Sequence, residues 1–447
     1  MKRDLKPSRN IGGTIRVPGD KSIAHRVALL SILSEGPITV FNCPHGEDCK
    51  ASLEAAQNLG VSVEENGSQV ILTPPARISC ESDTIIDCGN SGTTARLLAG
   101  LVSGTDQRVI LSGDESLSSR PMKRLIDALK AMGAEVMSDD EYLPLTIQGT
   151  RLLPFEYMLP VPSAQLKSAL LLAGLASHCT VTIQEKTPSR DHTEVLIQEL
   201  GEGLSVRTIN PVAKPDPVDP RKKKMVMPEP FKKEIVLNNQ SRIRGGEVDI
   251  PGDLSTAAYF MAAAAISGST VTVENVGLNP TRADILTHLK QIGCKVEVKD
   301  KIVISGEPRG TVTVTGGKLK PRRLSGDAIV GLIDELPIVA VMAAFADGTT
   351  VIRDAAELRV KESDRLVALA DNLSRMGVKC GVMEDGIAIE GTKDPGGADF
   401  ANYGDHRIAM SFSIASLFLD GPSTIDDDAI VAVSCPEFYE LLDKIVS

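Results

Sequence analysis

Val17-Pro18-Gly19-Asp20-Lys21-Ser22-Ile23-Ala24-His25-Arg26 opens on the tail of a short apolar strand, Ile15-Arg16-Val17, turns at Pro-Gly, and runs into a helix. Asp20 is a good N-cap, and a helix start that carries Lys21 and Arg26 is a ready anion site. The stretch has a counterpart in the second half of the chain, Asp249-Ile250-Pro251-Gly252-Asp253-Leu254-Ser255. Pro-Gly-Asp and Ser recur there, but Leu254 and Tyr259 replace Lys21 and Arg26. One copy has the charges of an anion site, and the other has only the turn. Both copies are read as places where the chain leaves one domain and enters the other.

Outward from these turns the chain repeats itself. A run of small and aliphatic residues meets a polar or glycine break, then a Thr/Val/Ile strand follows. The breaks fall at 36, 104, 178, 268, 348 and 421, at intervals of 68, 74, 90, 80 and 73. Helices this apolar on every side must be buried. A second, amphipathic helix alternates with them and stops at Gly60, Gly133, Gly293 or Gly377 before another strand, glycine being the usual left-handed helix stop. A weaker version ends at Gly201. The repeat is strand, helix, strand, helix, strand(s), three units to each half, and stacked self-similar units are its physical reading. The last unit ends in a helix near 436–446 with no strand after it, so residues 1–17 are expected to cross over and complete it. The domains then span 20–250, and 1–17 plus 251–447, with crossovers near 18–20 and 248–252. The long interval has a local cause: 211–230 is rich in proline and carries Arg221-Lys222-Lys223-Lys224, which reads as an insertion loop, neither helix nor central strand.

At 447 residues, two domains are the prior, and 42% apolar with 24% charged residues is ordinary globular composition. No run of 18 apolar residues is present to span a membrane, and Met1-Lys2-Arg3-Asp4-Leu5 is not the start of a secretory signal; both point to the cytosol. A net charge of −11 argues against nucleic acid as a partner but leaves room for a local basic cleft. The eight cysteines form no C-x-x-C pair; Cys43 and Cys49, which flank His45, lack the partners a zinc site needs, so reduced thiols are expected.

Chemistry-bearing residues gather at helix starts. Cys88-Gly89-Asn90-Ser91-Gly92-Thr93-Thr94-Ala95-Arg96 builds a backbone-lined anion loop, although a plain strand-to-helix turn explains it about as well. Arg120 precedes another helix. Ser163 is a natural N-cap, which leaves Gln165 and Lys167 in the first turn open to a ligand. In Ser189-Arg190-Asp191-His192-Thr193-Glu194 the acids read as caps and His192 as a surface residue. The second half adds Asp334-Glu335 before a buried helix, Arg359-Val360-Lys361-Glu362-Ser363-Asp364-Arg365, and Asp405-His406-Arg407. Cations thus occur in both halves, while Asp334 and Glu362, the carboxylates best placed to move protons, lie in one. A small polyanion between two closing domains would collect both sets.

Gly19-Asp20-Lys21-Ser22-Ile23-Ala24-His25-Arg26, Gly89-Asn90-Ser91-Gly92-Thr93-Thr94, Ser163-Ala164-Gln165, Arg359–Arg365 and Asp405-His406-Arg407 resemble, in order along the whole chain, the motifs of the EPSP synthase family of enolpyruvyl transferases. The resemblance implies an α/β, two-domain, inverse α/β barrel-like fold, each domain made of three βαβαββ units. It implies transfer of the enolpyruvyl group of phosphoenolpyruvate to the 5-hydroxyl of shikimate 3-phosphate, without metal or organic cofactor. The implied partners are those two small molecules, with no nucleic acid and no membrane, and the implied protein is a cytoplasmic monomer. Carried over, Lys21 touches both substrates and joins the catalytic set. Ser22, Arg26, Ser163, Ala164, Lys361 and Asp334 bind shikimate 3-phosphate, Arg190 sits where one branch places another phosphate ligand, and Gln165 lies between the substrates. Gly92, Arg120, Arg365 and Arg407 hold phosphoenolpyruvate. Asp334 acts as base on the attacking hydroxyl and Glu362 as the acid, which requires a protonated carboxyl.

Two departures from one branch stand out: Asn-Ser-Gly-Thr-Thr replaces Asn-Ala-Gly-Thr-Ala, and Ser163-Ala164-Gln165 replaces Ser-Ser-Gln. Val433 stands where that branch has a lysine. The chain therefore looks like the branch less sensitive to glyphosate. The rival readings are a sister transferase acting on a UDP-amino sugar, whose signature cysteine has no counterpart at 117–122, and a non-catalytic anion-binding repeat protein.

Overall fold

The structure is a computed structural model that describes residues 1–8, 10–209 and 231–446, with the backbone of the strands Val212–Pro215 and Lys223–Val226. Six apolar helices lie inside it: α1 (Lys21–Leu30), α2 (Gly92–Ser103), α3 (Ala164–Ser177), α4 (Leu254–Ser267), α5 (Leu336–Ala344) and α6 (His406–Ser416). Their small residues allow close approach. A Cβ on Gly100 of α2 would stand 2.1 Å from the Ala169 carbonyl oxygen of α3, so the α2–α3 contact needs glycine. These helices form the inner layer, and small sheets with amphipathic helices cover them.

One four-strand pattern serves five of the sheets built on core helices among the described residues, and the sheet around Ser423–Ile425 has its first three strands. Thr84–Asp87 runs parallel to Arg108–Ser112, which pairs antiparallel with Leu145–Gln148, which pairs antiparallel with Glu135–Ser138. The order repeats with Phe155–Met158, Val181–Glu185, Lys233–Ile243 and Gly201–Thr208, and with Arg323–Leu324, Thr349–Ile352, Gly386–Glu390 and Lys379–Met383. Alternation places Val109 and Leu111 inward while Arg108 and Ile110 face outward, the usual consequence of the strand period of two. The covering helices stop where expected: Gly133 has φ +95° and Gly293 φ +110°, conformations that favour glycine.

At the two turns the halves exchange strands. Gly12–Arg16 leads into α1, yet it pairs parallel with Thr270–Gly277, the strand that follows α4. Gly246–Asp249 leads into α4, yet it pairs parallel with Ile38–Phe41, the strand that follows α1. The cores change hands at the same points: Leu5, Ile11, Ile15 and Val17 pack with residues from Leu254 onward, and Ile23 through Ile250 form the other cluster. The turns themselves are joined by hydrogen bonds from Asp20 N to Pro251 O and from Asp253 N to Pro18 O, each 2.8 Å. Each aspartate caps its helix, Asp20 at Ser22 N (2.8 Å) and Asp253 at Ser255 N (2.7 Å). Buried Arg282 lies between them, 2.9 Å from Asp20 and 3.6 Å from Asp253. Gly19 is required sterically, since a Cβ there would meet the Asn42 carbonyl oxygen at 2.0 Å.

Two expectations are refined. Residues 1–17 do not all complete the last unit. Arg3–Leu5 pairs antiparallel with Ser423–Ile425, Ser8 N donates to Leu417 O at 2.8 Å and Ile11 bridges to Val446, while Gly12–Arg16 joins the sheet of the fourth unit. A three-residue partner strand cannot take up a seventeen-residue segment. Within 211–230, read as a loop, Val212–Pro215 and Lys223–Val226 pair antiparallel as a separate two-stranded ladder, where proline at a strand end is tolerated. The rest of that insertion lies outside the described residues.

Candidate active site

The starts of the core helices supply most of the polar groups. Ser91 caps α2 by accepting from Thr94 N at 3.1 Å, and Ser163 caps α3 by accepting from Leu166 N at 3.3 Å. Asp405 caps α6 by accepting from Arg407 N at 2.9 Å. Capping satisfies backbone donors and leaves the neighbouring side chains free to face a ligand.

Asp334, just before α5, is the hub. It is paired with Arg190 from the other half of the chain. Lys361 Nζ, Arg365 Nη1 and Arg407 Nη2 stand 3.9, 3.8 and 3.7 Å from its carboxylate oxygens, and Arg407 Nη1 donates to its carbonyl at 2.7 Å. Glu362 accepts from Arg365 Nη2 at 2.6 Å. Arg365 is fully buried and is fixed from behind by Asp405, whose Oδ2 is 2.7 Å from Nε. From the opposite half, Arg120 Nη2 donates to Ser116 Oγ at 3.0 Å, and Ser116 donates to the Glu362 carbonyl at 3.1 Å.

The other expected groups join the same assembly. Arg190 Nη1 is 3.5 Å from Ser22 Oγ. Arg26 donates to Ser22 O (2.7 Å), Thr193 Oγ1 (2.7 Å) and Ser168 Oγ (3.0 Å), and Ser168 in turn donates to Ala164 O (2.6 Å). Gln165 donates to Thr93 Oγ1 at 3.0 Å, which ties the α3 start to the glycine loop. In that loop a Cβ on Gly92 would stand 2.6 Å from Arg96 Nη1 and 3.3 Å from Arg120 Nη1. The two loop departures noted in the sequence contact each other: Thr94 Oγ1 donates to Ser91 Oγ at 2.8 Å. The chain continues to Ser52 (2.7 Å) and on to His25 of α1 (2.7 Å).

Three readings are corrected. Lys167 does not face a ligand. It is wholly buried, 3.1 Å from Glu185 and 2.8 Å from Glu194, because the fourth residue of α3 points into the core. His192 is no surface residue. It is buried with Nδ1 2.6 Å from Glu307, where the two halves meet, and Asp191 accepts from Asn279 (2.9 Å) and Lys233 (3.2 Å) rather than capping its helix. Glu362 is not held protonated. Burial pushes its carboxyl up, but Arg365, His406, Arg120 and Lys361 override that and hold it well below the usual range. Asp334 behaves alike: burial raises it, and Arg190, Arg407, Lys361 and Arg365 bring it well below. Burial lowers Lys361 and brings Arg26 down to about 10.

Sequence reasoning missed Asp48. Its Oδ2 lies 2.7 Å from Lys21 Nζ, the counter-ion for a cation at the α1 start. An acid in the first turn of an amphipathic helix is so ordinary that nothing marks it. The described cysteines are all unpaired, and burial pushes Cys43 and Cys88 up to about 12, so neither is a reactive thiolate. Among the described residues, no His, Cys, Asp and Glu cluster is arranged to hold a metal ion, and no helix is long and apolar enough to cross a membrane.

The family model for EPSP synthase (3-phosphoshikimate 1-carboxyvinyltransferase) matches residues 5–232 and 225–442. The chain is 41% identical over 450 residues to a 3-phosphoshikimate 1-carboxyvinyltransferase of Bacillus velezensis, covering 100% of this chain and 99% of the relative. It is 43% identical over 437 residues to that of Anaeromyxobacter sp. (strain K), covering 97% and 93%. The solved structure of EPSP synthase from Acinetobacter baumannii superposes with a TM-score of 0.81 at 36% identity, covering 100% of this chain and 98% of that one.

Proposed function

The chain belongs to the EPSP synthase family, and from that membership we propose that it transfers the enolpyruvyl group of phosphoenolpyruvate to the 5-hydroxyl of shikimate 3-phosphate and releases phosphate. This is a step of the shikimate pathway, on the way to chorismate and the aromatic amino acids. The observation that carries the residue roles is the pairing of two largely but not fully buried carboxylates, Asp334 and Glu362, through one guanidinium, Arg365, among cations from both halves. Such an excess of cations suits two polyanions, and arginine forks suit carboxylate and phosphate.

Shikimate 3-phosphate lies against Ser22, Arg26, Ser163, Ala164, Gln165, Arg190 and Lys361, with its 5-hydroxyl toward Asp334. Phosphoenolpyruvate lies against Gly92, Arg120, Gln165, Arg365 and Arg407, and Lys21 reaches both. In the free enzyme, ion pairs such as Arg190–Asp334 and Arg365–Glu362 stand in for ligand charges. Anions that take over those cations weaken their hold on the carboxylates. Burial then dominates and raises both pKa values, so Glu362 becomes able to carry a proton and Asp334 to accept one.

The reaction follows from that shift. Glu362 protonates the methylene carbon, cationic character develops at the adjacent carbon, and the 5-hydroxyl oxygen attacks it while its proton passes to Asp334. Loss of phosphate and return of a methyl proton to the Glu362 carboxylate restore the double bond. No metal or organic cofactor enters these steps. The enzyme is placed in the cytoplasm, as a monomer.

The test is phosphate release from phosphoenolpyruvate with shikimate 3-phosphate, against a UDP-amino sugar control. Release with the sugar alone overturns the assignment in favour of the sister transferase. Release with neither, while both anions bind, favours an anion-binding repeat protein. The Ser91–Thr94 pair that shapes the Gly92 loop also supports weak glyphosate binding, which an inhibition constant well below the phosphoenolpyruvate KM would overturn.

A further inference from the structure

Lys21 is the first residue of α1, where the helix dipole disfavours a cation. Charged and titratable groups face it from every element packed around it. Asp48 and Cys49 come from the helix Glu47–Asn58, His25 from α1 itself, His406 and Arg407 from α6, and Glu362 from the loop before the helix Arg365–Arg375. Its own backbone N donates to Asp253 at 3.2 Å. Of these groups, only Asp48 holds the ammonium, at 2.7 Å, and Asp48 is itself buried.

The geometry points to Asp48 as a positioning residue for the transfer reaction, its carboxylate anchoring the Lys21 ammonium where both anionic substrates must meet it. The stem of lysine is long and flexible, and an ammonium is a point charge without a fixed fork. Unanchored, Lys21 has Glu362 as its competing carboxylate, and pairing there would tie up the group that must carry the proton. Asp48 comes from the half that holds α1, so Lys21 and its anchor move as one when the halves close. Burial lowers the Lys21 pKa, and Asp48 more than offsets this against the repulsion of Arg407, so the ammonium stays charged.

Plain electrostatics gives the opposite expectation. Asp48 is a negative charge beside a site for polyanions, so removing it should tighten substrate binding if it does nothing else. The inference rests on the reading of Lys21 as a ligand of both substrates, and Lys21→Met tests that reading separately. Unchanged KM values for both substrates in Lys21→Met overturn the ligand role, whatever Asp48 does.

The deciding experiment measures kcat/KM for each substrate from pH 6 to 10 in the full-length enzyme, Asp48→Asn and Asp48→Glu. Anchoring predicts a loss of about 10-fold to 100-fold for both substrates in Asp48→Asn, the scale of a misplaced binding group. It also predicts an alkaline limb moved to lower pH and recovery of that limb in Asp48→Glu. Tighter or unchanged binding with an unmoved limb overturns it. If Asp48→Asn does not fold, the unaltered enzyme decides. The Lys21 13Cε resonance, assigned with Lys21→Arg, must show an ammonium across that range, and titration below its ordinary pKa overturns the anchor.

Discussion

Arg365 donates from Nη2 to Glu362 at 2.6 Å, so the carboxylate expected to act as an acid is locked as an anion in the free enzyme. The same guanidinium lies 3.8 Å from Asp334, and substrate anions must compete for it. Binding phosphoenolpyruvate in the presence of shikimate 3-phosphate should therefore draw protons from solution as Glu362 rises from its depressed pKa. Calorimetry at neutral pH in two buffers of different ionisation enthalpy reads this as different observed heats. Equal heats in the unaltered enzyme would sink the idea, and Glu362→Gln should abolish the Glu362 share of the uptake.

Turnover should follow the same carboxyl. Glu362→Gln keeps the shape and a hydrogen bond to Arg365 but cannot deliver and recover a proton. Its kcat should fall by about 10²-fold or more, as for other general acid–base groups, with KM values changed much less. The phosphate-release assay checks this, and near-normal turnover removes Glu362 from the mechanism.

How far the sequence carried depends on the range of each interaction. The six core helices were legible because their apolar character is local and recurs at each break, and Gly133 and Gly293 mark helix stops by a backbone conformation written in one residue. Asp20 was legible as a cap for the same reason. The crossing of 1–17 into the second half was legible too, but not which strands Gly12–Arg16 and Gly246–Asp249 would pair with, since a strand's partner is fixed by segments far along the chain. The same limit hid Asp48 from Lys21, sent Lys167 to Glu185 and Glu194, and buried His192 against Glu307. The ionisation of Glu362 was misjudged because it sums Arg365 and Lys361 of its own stretch with Arg120 and His406, which lie far away along the chain.

Lys167 separates a structural cation from a ligand. Deleting one partner of a buried ion pair leaves the other uncompensated, at a cost of about 3–5 kcal/mol. Lys167→Met should lower the urea unfolding free energy toward the lower end of that range, since Ser189 N still bonds Glu185 at 3.1 Å and Lys233 still reaches Glu194 at 3.2 Å. Both KM values should stay near those of the unaltered enzyme. A large KM increase with unchanged stability would return Lys167 to the binding site.

Gly92 tests the phosphoenolpyruvate loop. A methyl group there meets the ends of two long side chains, Arg96 and Arg120, which can move without breaking the fold. Displacing Arg120 costs binding instead, because its guanidinium spans Asn90 O at 3.2 Å and Ser116 Oγ at 3.0 Å. Gly92→Ala should raise the KM for phosphoenolpyruvate about 10-fold or more, the scale of one disturbed charge-assisted contact, with thermal stability and the KM for shikimate 3-phosphate little changed. Steady-state kinetics with each substrate varied in turn checks this, and equal effects on both substrates would contradict the placement.

Asp20 ties the turn between the halves to acid stability. Burial raises its carboxyl, but Arg282, with His192 and Arg190, brings it down to about 2. Its pKa is depressed in the folded state, so its stabilisation is fully present above the unfolded value of about 3.9 and is lost as pH falls through the folded value. The unfolding free energy should therefore decline between about pH 4 and pH 2 in part because Asp20 gains a proton there. Asp20→Asn keeps a cap for Ser22 N but removes the charge facing Arg282, so it should be less stable at neutral pH and show a shallower decline over that interval. Urea titrations at a series of pH values read both effects. An unchanged slope in Asp20→Asn would mean that other carboxylates carry the acid limb and that the Asp20–Arg282 pair does not set it.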